Sequence, residues 1–120
     1  MKNQINEIGK DVIELQIRAL KKLKHSINNS FHDAVQAIIK CRSKVIVCGV
    51  GKSGIIASKI SATLSSVGTP SFSISASDCS HGDLGRITKK DILILISYSG
   101  NTAELKNIIK YAKSNKILLI

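Results

Sequence analysis

A short glycine-rich segment carries the residue types and the spacing of an anion-binding turn. It reads GVGKSG at residues 49–54, follows a run of apolar residues and opens a helical pattern. The free backbone amides at such a helix start can bind a phosphate, and the lysine inside the segment adds positive charge. A tight turn without a ligand is the alternative, but packing alone gives no reason for a lysine there. The segment therefore predicts a phosphate site.

Two nucleotide-binding motifs compete for the same glycines. A P-loop needs a further glycine five residues before its Gly-Lys pair, and that position is Ile46, inside the apolar run. The P-loop interpretation therefore fails. The dinucleotide fingerprint GxGxxG matches literally, but it expects an acidic residue about 20 positions further on, and Asp78 is only a loose candidate. These residues alone leave the dinucleotide alternative open.

A second polar segment, SYSGNTAE at residues 97–104, places hydroxyl groups between an apolar run and a helical pattern. The hydroxyls belong to Ser97, Ser99 and Thr102. Together with unpaired helix amides they can bind a phosphate dianion. A simple helix cap, with Glu104 in a capping box, is the alternative, and it is compatible with phosphate binding. Because three hydroxyls exceed what one cap requires, we expect a phosphate-binding turn.

The loop between these segments contains one histidine, His81, followed by Gly82 and Asp83. Imidazole is the side chain whose pKa best suits proton transfer near neutral pH. A lone histidine is more often structural or exposed, but this one lies among polar residues at the predicted functional edge. We therefore take His81 as a candidate proton carrier, and we assign His25 and His32, near predicted helix ends, to the surface.

Alternating helices and strands must position these segments. Apolar residues at steps of three and four predict a first amphipathic helix, and Ser30 is the predicted N-cap of a second. Continuous apolar runs predict strands buried on both faces, as in a parallel sheet. Predicted strands cover residues 45–48, 71–75, 91–96 and 117–120. Predicted helices cover residues 5–27, 31–40, 53–67 and 103–113, and residues 78–88 are predicted as a polar loop or a short turn of helix. This order predicts a doubly wound α/β fold, whose ligands bind beyond the carboxyl ends of the strands.

The composition limits the classes of partner. The chain has 120 residues, 43% of them hydrophobic and 3% aromatic, so we expect an aliphatic core. The net charge is +10, but the lysines are spread over predicted helix faces and turns without interleaved aromatics, so no nucleic-acid partner is expected. No apolar run approaches the ~20 residues of a membrane span, and no signal-peptide pattern is present. Cys41, Cys48 and Cys79 lack metal-ligand spacing, which indicates reduced thiols in the cytoplasm.

The motifs together resemble the sugar isomerase (SIS) domain family. The combination of GVGKSG, VGTPSF, HGDLGRIT and DILILISYSGNTAE resembles the arabinose 5-phosphate isomerases of that family, and it sets the dinucleotide alternative aside. The resemblance implies a flavodoxin-like SIS domain. It also implies interconversion of D-ribulose 5-phosphate and D-arabinose 5-phosphate through an enediol, without a cofactor. In the family this reaction feeds synthesis of the Kdo sugar of lipopolysaccharide.

The resemblance also implies roles for individual residues. The positions matching catalytic residues of the family are Lys52, His81 and Glu104. The positions matching its substrate pocket are Gly51, Ser53, Ser97, Ser99 and Thr102, with Gly68 and Thr69 aligned to a further substrate-linked stretch. That stretch is predicted at the amino end of the second strand, so it could serve the site of a neighbouring subunit. Relatives often carry a zinc-associated histidine where this chain has Ser75, so no metal site is predicted.

The predicted organisation has two segments. Residues 1–43 are expected to form N-terminal helices that pack on the SIS domain and support a homo-oligomer, a dimer or a tetramer. Residues 44–120 are expected to form the SIS domain, truncated after its fourth strand, because the family's domain continues further and often precedes CBS domains. Two alternatives to an active isomerase stay open: a non-catalytic module that binds a phosphosugar, and a truncated remnant.

Overall fold

The computed structural model describes residues 1–80 and 82–120; His81 lies outside the described residues. The chain forms two compact units, Met1–Val35 and Gln36–Ile120. Within the described residues, no helix combines the length and the apolar character that crossing a bilayer requires.

The first unit consists of helix α1, Lys2–Lys24, and the beginning of helix α2, Asn29–Lys40. The apolar stripe predicted for the first helix lies on α1, and no residue of α1 is buried. The cap of α2 differs from the prediction. The helix already includes Ser30, and the Asn28 Oδ1 accepts hydrogen bonds from the backbone amides of Ser30 and Phe31 at 2.9 and 3.4 Å. Asn28, which precedes Ser30 in the chain, therefore satisfies the first free amides, and the prediction of Ser30 as the cap is wrong.

The second unit is built around a parallel sheet in the order β2-β1-β3-β4. The strands are β1, Val45–Gly49; β2, Ser71–Ser75; β3, Ile92–Ile96; and β4, Leu118–Leu119. The helices are α3, Lys52–Ser66; α4, Ala76–Cys79; a 3₁₀ helix, Asp83–Arg86; and α5, Ala103–Ser114. The prediction of a doubly wound parallel sheet preceded by two helices is confirmed, and the order of the four strands is that of flavodoxin-like folds.

Strand β1 is the centre of the core. Its residues Val45–Gly49 are all buried, because helices cover both faces of the sheet. Ile46 and Cys48 join a cluster with side chains of α4 and α5. Val45 and Val47 join a second cluster with α3 and the end of α2. The continuous apolar run seen in the sequence is therefore the signature of a strand buried on both sides.

A buried carboxylate fixes the amino ends of β1 and β3. Asp91 is 1% exposed, and its Oδ1 accepts hydrogen bonds from the Ser43 hydroxyl at 2.6 Å and the Lys44 amide at 3.1 Å. Its Oδ2 accepts from the Thr88 amide at 2.8 Å and the Thr88 hydroxyl at 3.1 Å, and the Lys44 Nζ lies 3.5 Å from Oδ1. Burial alone would raise the pKa of Asp91, but these hydrogen bonds outweigh it and hold the pKa below its ordinary value.

Replacing Asp91 by Asn tests this network. The amide cannot accept all four hydrogen bonds, so we expect a loss of about 1–3 kcal/mol in the free energy of unfolding at pH 7. Because the pKa is lower in the folded than in the unfolded state, ionised Asp91 stabilises the fold fully above the unfolded pKa of about 3.9. The difference in the free energy of unfolding between wild type and Asp91→Asn, which we call the gap, should therefore shrink as the pH falls below about 4 and passes through the pKa of Asp91 in the folded state.

Urea unfolding of both proteins between pH 7 and pH 3 measures this gap. The exposed Asp78, replaced in the same way, is the control and should show almost no gap at any pH. A gap for Asp91→Asn that stayed constant over this range would contradict the assigned role.

Candidate functional site

At the carboxyl edge of the sheet the connections that follow β1 and β3 diverge, and we call the space between these connections the crevice. The chain leaves β1 through α3 towards β2 on one side, and it leaves β3 through α5 towards β4 on the other. The two strands are direct neighbours, with Gly49 opposite Ile96 at their carboxyl ends. The point where the connections diverge is the place where ligands bind in open α/β sheets.

The glycine-rich turn brings the start of α3 directly over the end of β1. A Cβ on Gly49 would lie 2.6 Å from the carbonyl carbon and oxygen of Ser53, and a Cβ on Gly54 would lie 3.1 Å from the Gly49 oxygen. Gly51, at the N-cap, has a φ of 57°, which side chains other than glycine rarely adopt. No side chain caps α3, so the amide of Lys52, its first residue, is free to bind an anion.

The hydroxyl-rich turn after β3 is internally hydrogen bonded. The Ser97 Oγ lies 2.9 Å from the Thr102 Oγ1 and accepts a hydrogen bond from the Gly100 amide at 3.0 Å. The Ser99 Oγ accepts from the Asn101 amide at 3.2 Å. Thr102 is the N-cap residue of α5, but its hydroxyl makes no capping bond. The simple-cap interpretation of Thr102 is therefore wrong, and the first amides of α5 have no side-chain cap.

A cavity of about 350 Å³ lies beside the glycine-rich turn, between α3 and β2. Gly49, Gly51 and three serines, Ser58, Ser73 and Ser75, are part of its lining. The Ser58 and Ser73 hydroxyls are 3.0 Å apart, and the Ser75 hydroxyl is 2.6 Å from that of Ser77. None of these serines was predicted from the sequence as a site residue. For Ser73 and Ser75 the signal is the alternation in SFSIS at residues 71–75, which places every second residue on one face of the strand, whereas Ser58 lies on α3 and has no such signal.

The structure brings most of the predicted site residues to this one edge and separates two of them. At the carboxyl edge lie Gly51, Lys52, Ser53, Ser97, Ser99, Thr102 and Glu104. Gly68 and Thr69 lie at the amino end of β2, the opposite edge. There they end α3: the Gly68 amide donates to the Ser65 oxygen, the Thr69 amide donates to the Leu64 oxygen, and Gly68 has a φ of 93°. This is a Schellman motif, so both residues have a structural role in ending the helix, and their predicted link to substrate at the site of a neighbouring subunit stays a prediction.

Two buried thiols below this edge are not nucleophiles. Burial raises the pKa of Cys48 to about 12, with nearby Cys79 adding to the effect, and burial also raises the pKa of Cys79. Both side chains therefore remain protonated at neutral pH, whereas nucleophilic attack needs a thiolate. Within residues 1–80 and 82–120, no group of three or more His, Cys, Asp or Glu side chains could hold a metal ion.

The arrangement suits a phosphorylated substrate whose reaction moves protons. Two uncapped helix starts, of α3 and α5, supply free amides, and Lys52 supplies a full positive charge. Glu104, exposed in the first turn of α5, is a carboxylate that can accept a proton. His81, the third residue considered for proton transfer, lies outside the described residues.

Comparisons with known proteins agree with this geometry. The family model of the SIS domain matches residues 37–120. Arabinose 5-phosphate isomerase KdsD of Yersinia pestis is 46% identical over 95% of this chain and 35% of its own length. Arabinose 5-phosphate isomerase GutQ of Escherichia coli K12 is 38% identical over 100% of this chain and 37% of its own length. The chain thus spans about a third of the length of these curated relatives.

A solved structure shows the same similarity in three dimensions. It is a protein of E. coli CFT073 in complex with arabinose 5-phosphate, and it superimposes with a TM-score of 0.92 and 36% sequence identity. The superposition covers 99% of this chain and 63% of that protein.

Replacing Gly49 by Ala tests the close approach on which the turn depends. The added Cβ would meet backbone atoms of Ser53, which cannot rotate away, so we expect a loss of about 1–3 kcal/mol in the free energy of unfolding. Chemical denaturation measures the loss. Gly85→Ala is the control, because a Cβ there meets nothing within 4 Å. If both variants were as stable as wild type, the described contact between β1 and α3 would be wrong.

Proposed function

This chain belongs to the SIS domain family, and from that premise we propose that it isomerises a sugar phosphate. The proposed reaction interconverts D-ribulose 5-phosphate and D-arabinose 5-phosphate. The observation that supports it best is that the helix starts that carry Lys52 and Glu104, both without a side-chain cap, follow the neighbouring strands β1 and β3 at one edge of the sheet. The named relatives KdsD and GutQ and the complex with arabinose 5-phosphate support the choice of substrate.

In the proposed complex the phosphate lies at the start of α5. The free amides of the first turn bind its oxygens, and the hydroxyls of Ser97, Ser99 and Thr102 complete the cradle. Gly51 and Ser53, at the start of α3, border the crevice from the other side. Binding energy from the phosphate, which does not react, holds the sugar carbons in a fixed position for proton transfer. Gly68 and Thr69 have no part in this cradle.

The proposed chemistry moves one proton between carbons and one between oxygens. A base removes a proton from C1 of the ketose, the electrons form a C1–C2 enediolate, and a proton returns to C2 to give the aldose. Glu104 or His81 carries these protons, and Lys52 stabilises the negative oxygen that develops next to them. All three assignments are part of the proposal. No step needs a metal ion or an organic cofactor.

The proposed assembly is a homo-oligomer, either a dimer or a tetramer. Its support in this chain is the apolar stripe of α1, where large side chains remain exposed: Ile5, Ile8, Val12, Leu15 and Leu23. Apolar patches of this kind mark interaction sites. The division into residues 1–43 and 44–120 stays a prediction. A role in Kdo and lipopolysaccharide synthesis and a cytoplasmic location also belong to the proposal.

Isomerisation by the purified chain tests the proposal directly. The chain is incubated with D-ribulose 5-phosphate, and the appearance of D-arabinose 5-phosphate is followed by NMR, with KdsD of Y. pestis as the positive control. Turnover supports the isomerase. Binding without turnover would support the alternative of a non-catalytic phosphosugar module. If the chain neither bound D-ribulose 5-phosphate nor converted it, the proposed function would be overturned.

Replacing Lys52 by Met tests the electrostatic role. The variant keeps the length of the side chain and loses its charge, so we expect kcat to fall about 10²–10³-fold. The affinity for inorganic phosphate should change much less, because the hydroxyl-rich turn of α5 remains intact. Lys59→Met, two turns further along α3, is the matched control and should keep wild-type turnover. Unchanged kcat in Lys52→Met would show that the assigned role of this lysine is wrong.

A further inference from the structure

The apolar stripe of α1 is a continuous surface along one side of the helix. Its members are Ile5, Ile8, Val12, Leu15, Ala19 and Leu23, and all of them are exposed. They recur at steps of three and four over a helix that is about 34 Å long. Val12 is the least exposed of the large side chains, and it is still 48% exposed. An apolar row of this length in water favours association with a partner surface.

A groove beside the middle of the stripe brings two opposite charges to its border. The groove has a volume of about 410 Å³, and its lining residues belong to α1: Ile8, Asp11, Val12, Glu14, Leu15 and Arg18. Asp11 precedes the stripe residue Val12, and Arg18 precedes the stripe residue Ala19. Both charges therefore lie on the same flank of the stripe, two helical turns apart.

The charges of α1 are divided between its two halves. The carboxylates all lie in the first half, at Glu7, Asp11 and Glu14, and the Lys10 Nζ pairs with Glu7 at 2.7 Å. The second half contains no carboxylate and has four cations: Arg18, Lys21, Lys22 and Lys24. A parallel second copy would place like charges side by side and would align the two helix dipoles unfavourably. An antiparallel second copy places the acidic half of each helix beside the basic half of the other.

The stripe also selects the register of an antiparallel pair. When the twofold axis passes between residues 13 and 14, Val12 faces Leu15 of the second copy, and Ile8 faces Ala19. The small Ala19 then packs against a large side chain, whereas a parallel pair in register would place Ala19 opposite Ala19 and leave a gap. In this antiparallel register Asp11 is offset by only about 3 Å along the axis from Arg18 of the second copy. The twofold axis forms this ion pair twice.

A second apolar row on α1 does not offer the same match. Its members are Ile13, Ile17 and Leu20, which are also exposed. The charged neighbours at helical spacing are Lys10, three residues before Ile13, and Lys24, four residues after Leu20. Because both are cations, a second copy on this row would bring like charges together. The first stripe is therefore the better surface for self-association.

We propose that α1 pairs antiparallel with α1 of a second copy of this chain, with two Asp11–Arg18 ion pairs beside an apolar seam centred on Val12 and Leu15. This inference rests on the homo-oligomer proposed above and deepens it by naming the surface, the direction and the register. The apolar seam supplies most of the affinity. The exposed ion pairs contribute little energy each and mainly select the direction, because the wrong direction loses them and brings like charges together.

Reversal of the two charges tests the pairing. Analytical ultracentrifugation gives the dissociation constant of self-association for wild type, Asp11→Arg, Arg18→Asp and the variant with both substitutions. Each single substitution replaces two attractions by two repulsions, so we expect the dissociation constant to rise about 10-fold. The double substitution exchanges the charges and re-forms both ion pairs, so its dissociation constant should return close to the wild-type value.

Lys21→Asp is the matched control. It reverses a positive charge one turn beyond Arg18, but no stripe residue lies three or four positions from Lys21, which places it on another face of α1. Its dissociation constant should equal that of wild type. Circular dichroism in the far ultraviolet shows whether α1 stays helical in each variant.

Cross-linking determines the direction independently of the charges. The variants Ile8→Cys and Ala19→Cys are made in a Cys41→Ser background, because Cys41 is the partly exposed native thiol, whereas Cys48 and Cys79 are buried. Both are treated with a short bismaleimide, each alone and as an equal mixture after subunit exchange. We expect cross-linked dimers in the mixture and few with either variant alone. A parallel pair would instead cross-link each variant to itself.

The possible failures can be told apart. If the wild-type chain is a monomer, the proposed homo-oligomer fails and this inference fails with it. If the chain self-associates but the single reversals have no effect, or the double substitution does not restore association, only the inference is overturned. Cross-linking of Ile8→Cys to itself would also overturn it. Turnover of D-ribulose 5-phosphate does not enter these measurements, so the proposed reaction is tested separately.

Discussion

The contact between the end of β1 and the start of α3 is the constraint on which the site depends. At Gly49 there is no room for even a methyl group, since the backbone of Ser53 occupies that space. This close approach places the first amides of α3 and Lys52 at the edge of the sheet, beside the turn that follows β3. A longer connection would move the positive end of the helix away from the crevice. Glycine is therefore required at Gly49 by the close contact of the two backbones, whether or not a ligand binds there.

The position of β1 in the sheet gives this contact its rigidity. β1 lies between β2 and β3, and its side chains are packed on both faces. The carboxylate of Asp91 ties the amino ends of β1 and β3 together at the opposite edge. The two strands that carry the glycine-rich turn and the hydroxyl-rich turn are thus tied together at the opposite edge. Such a frame can hold an anion at free helix amides without a large change of shape, which lowers the entropic cost of binding.

Much of this architecture could be predicted from the sequence because each strand is a short, continuous apolar run between turn residues. The predicted strand and helix ends in residues 44–120 agree with the structure within one residue. The details that could not be predicted depend on which side chains the folded chain brings next to one another. Asn28 and Ser30 are both residue types that cap helices well, and only the point at which the backbone becomes helical decides which of them is the cap. The sequence predicts Asp91 only as the first residue of a strand, and two of its four hydrogen bonds come from residues 43–44, which are far away in the sequence. The serines of β2 became visible as a cavity wall only when α3 was placed over them.

The parallel arrangement has a consequence for how the chain acquires this structure. No strand can pair with a neighbour until the helix or loop between them has been made, and Val45 pairs with Ile92, which follows it 47 positions later in the sequence. Such non-local pairing is slow, because the entropy of closing the loop is lost before the contacts form. During synthesis β1 leaves the ribosome long before β3, so its continuous apolar run stays unpaired on the side where β3 lies in the native sheet. The apolar run that makes β1 the best-buried strand of the native protein is thus apolar surface that stays uncovered while the protein is being made, and such surface favours aggregation.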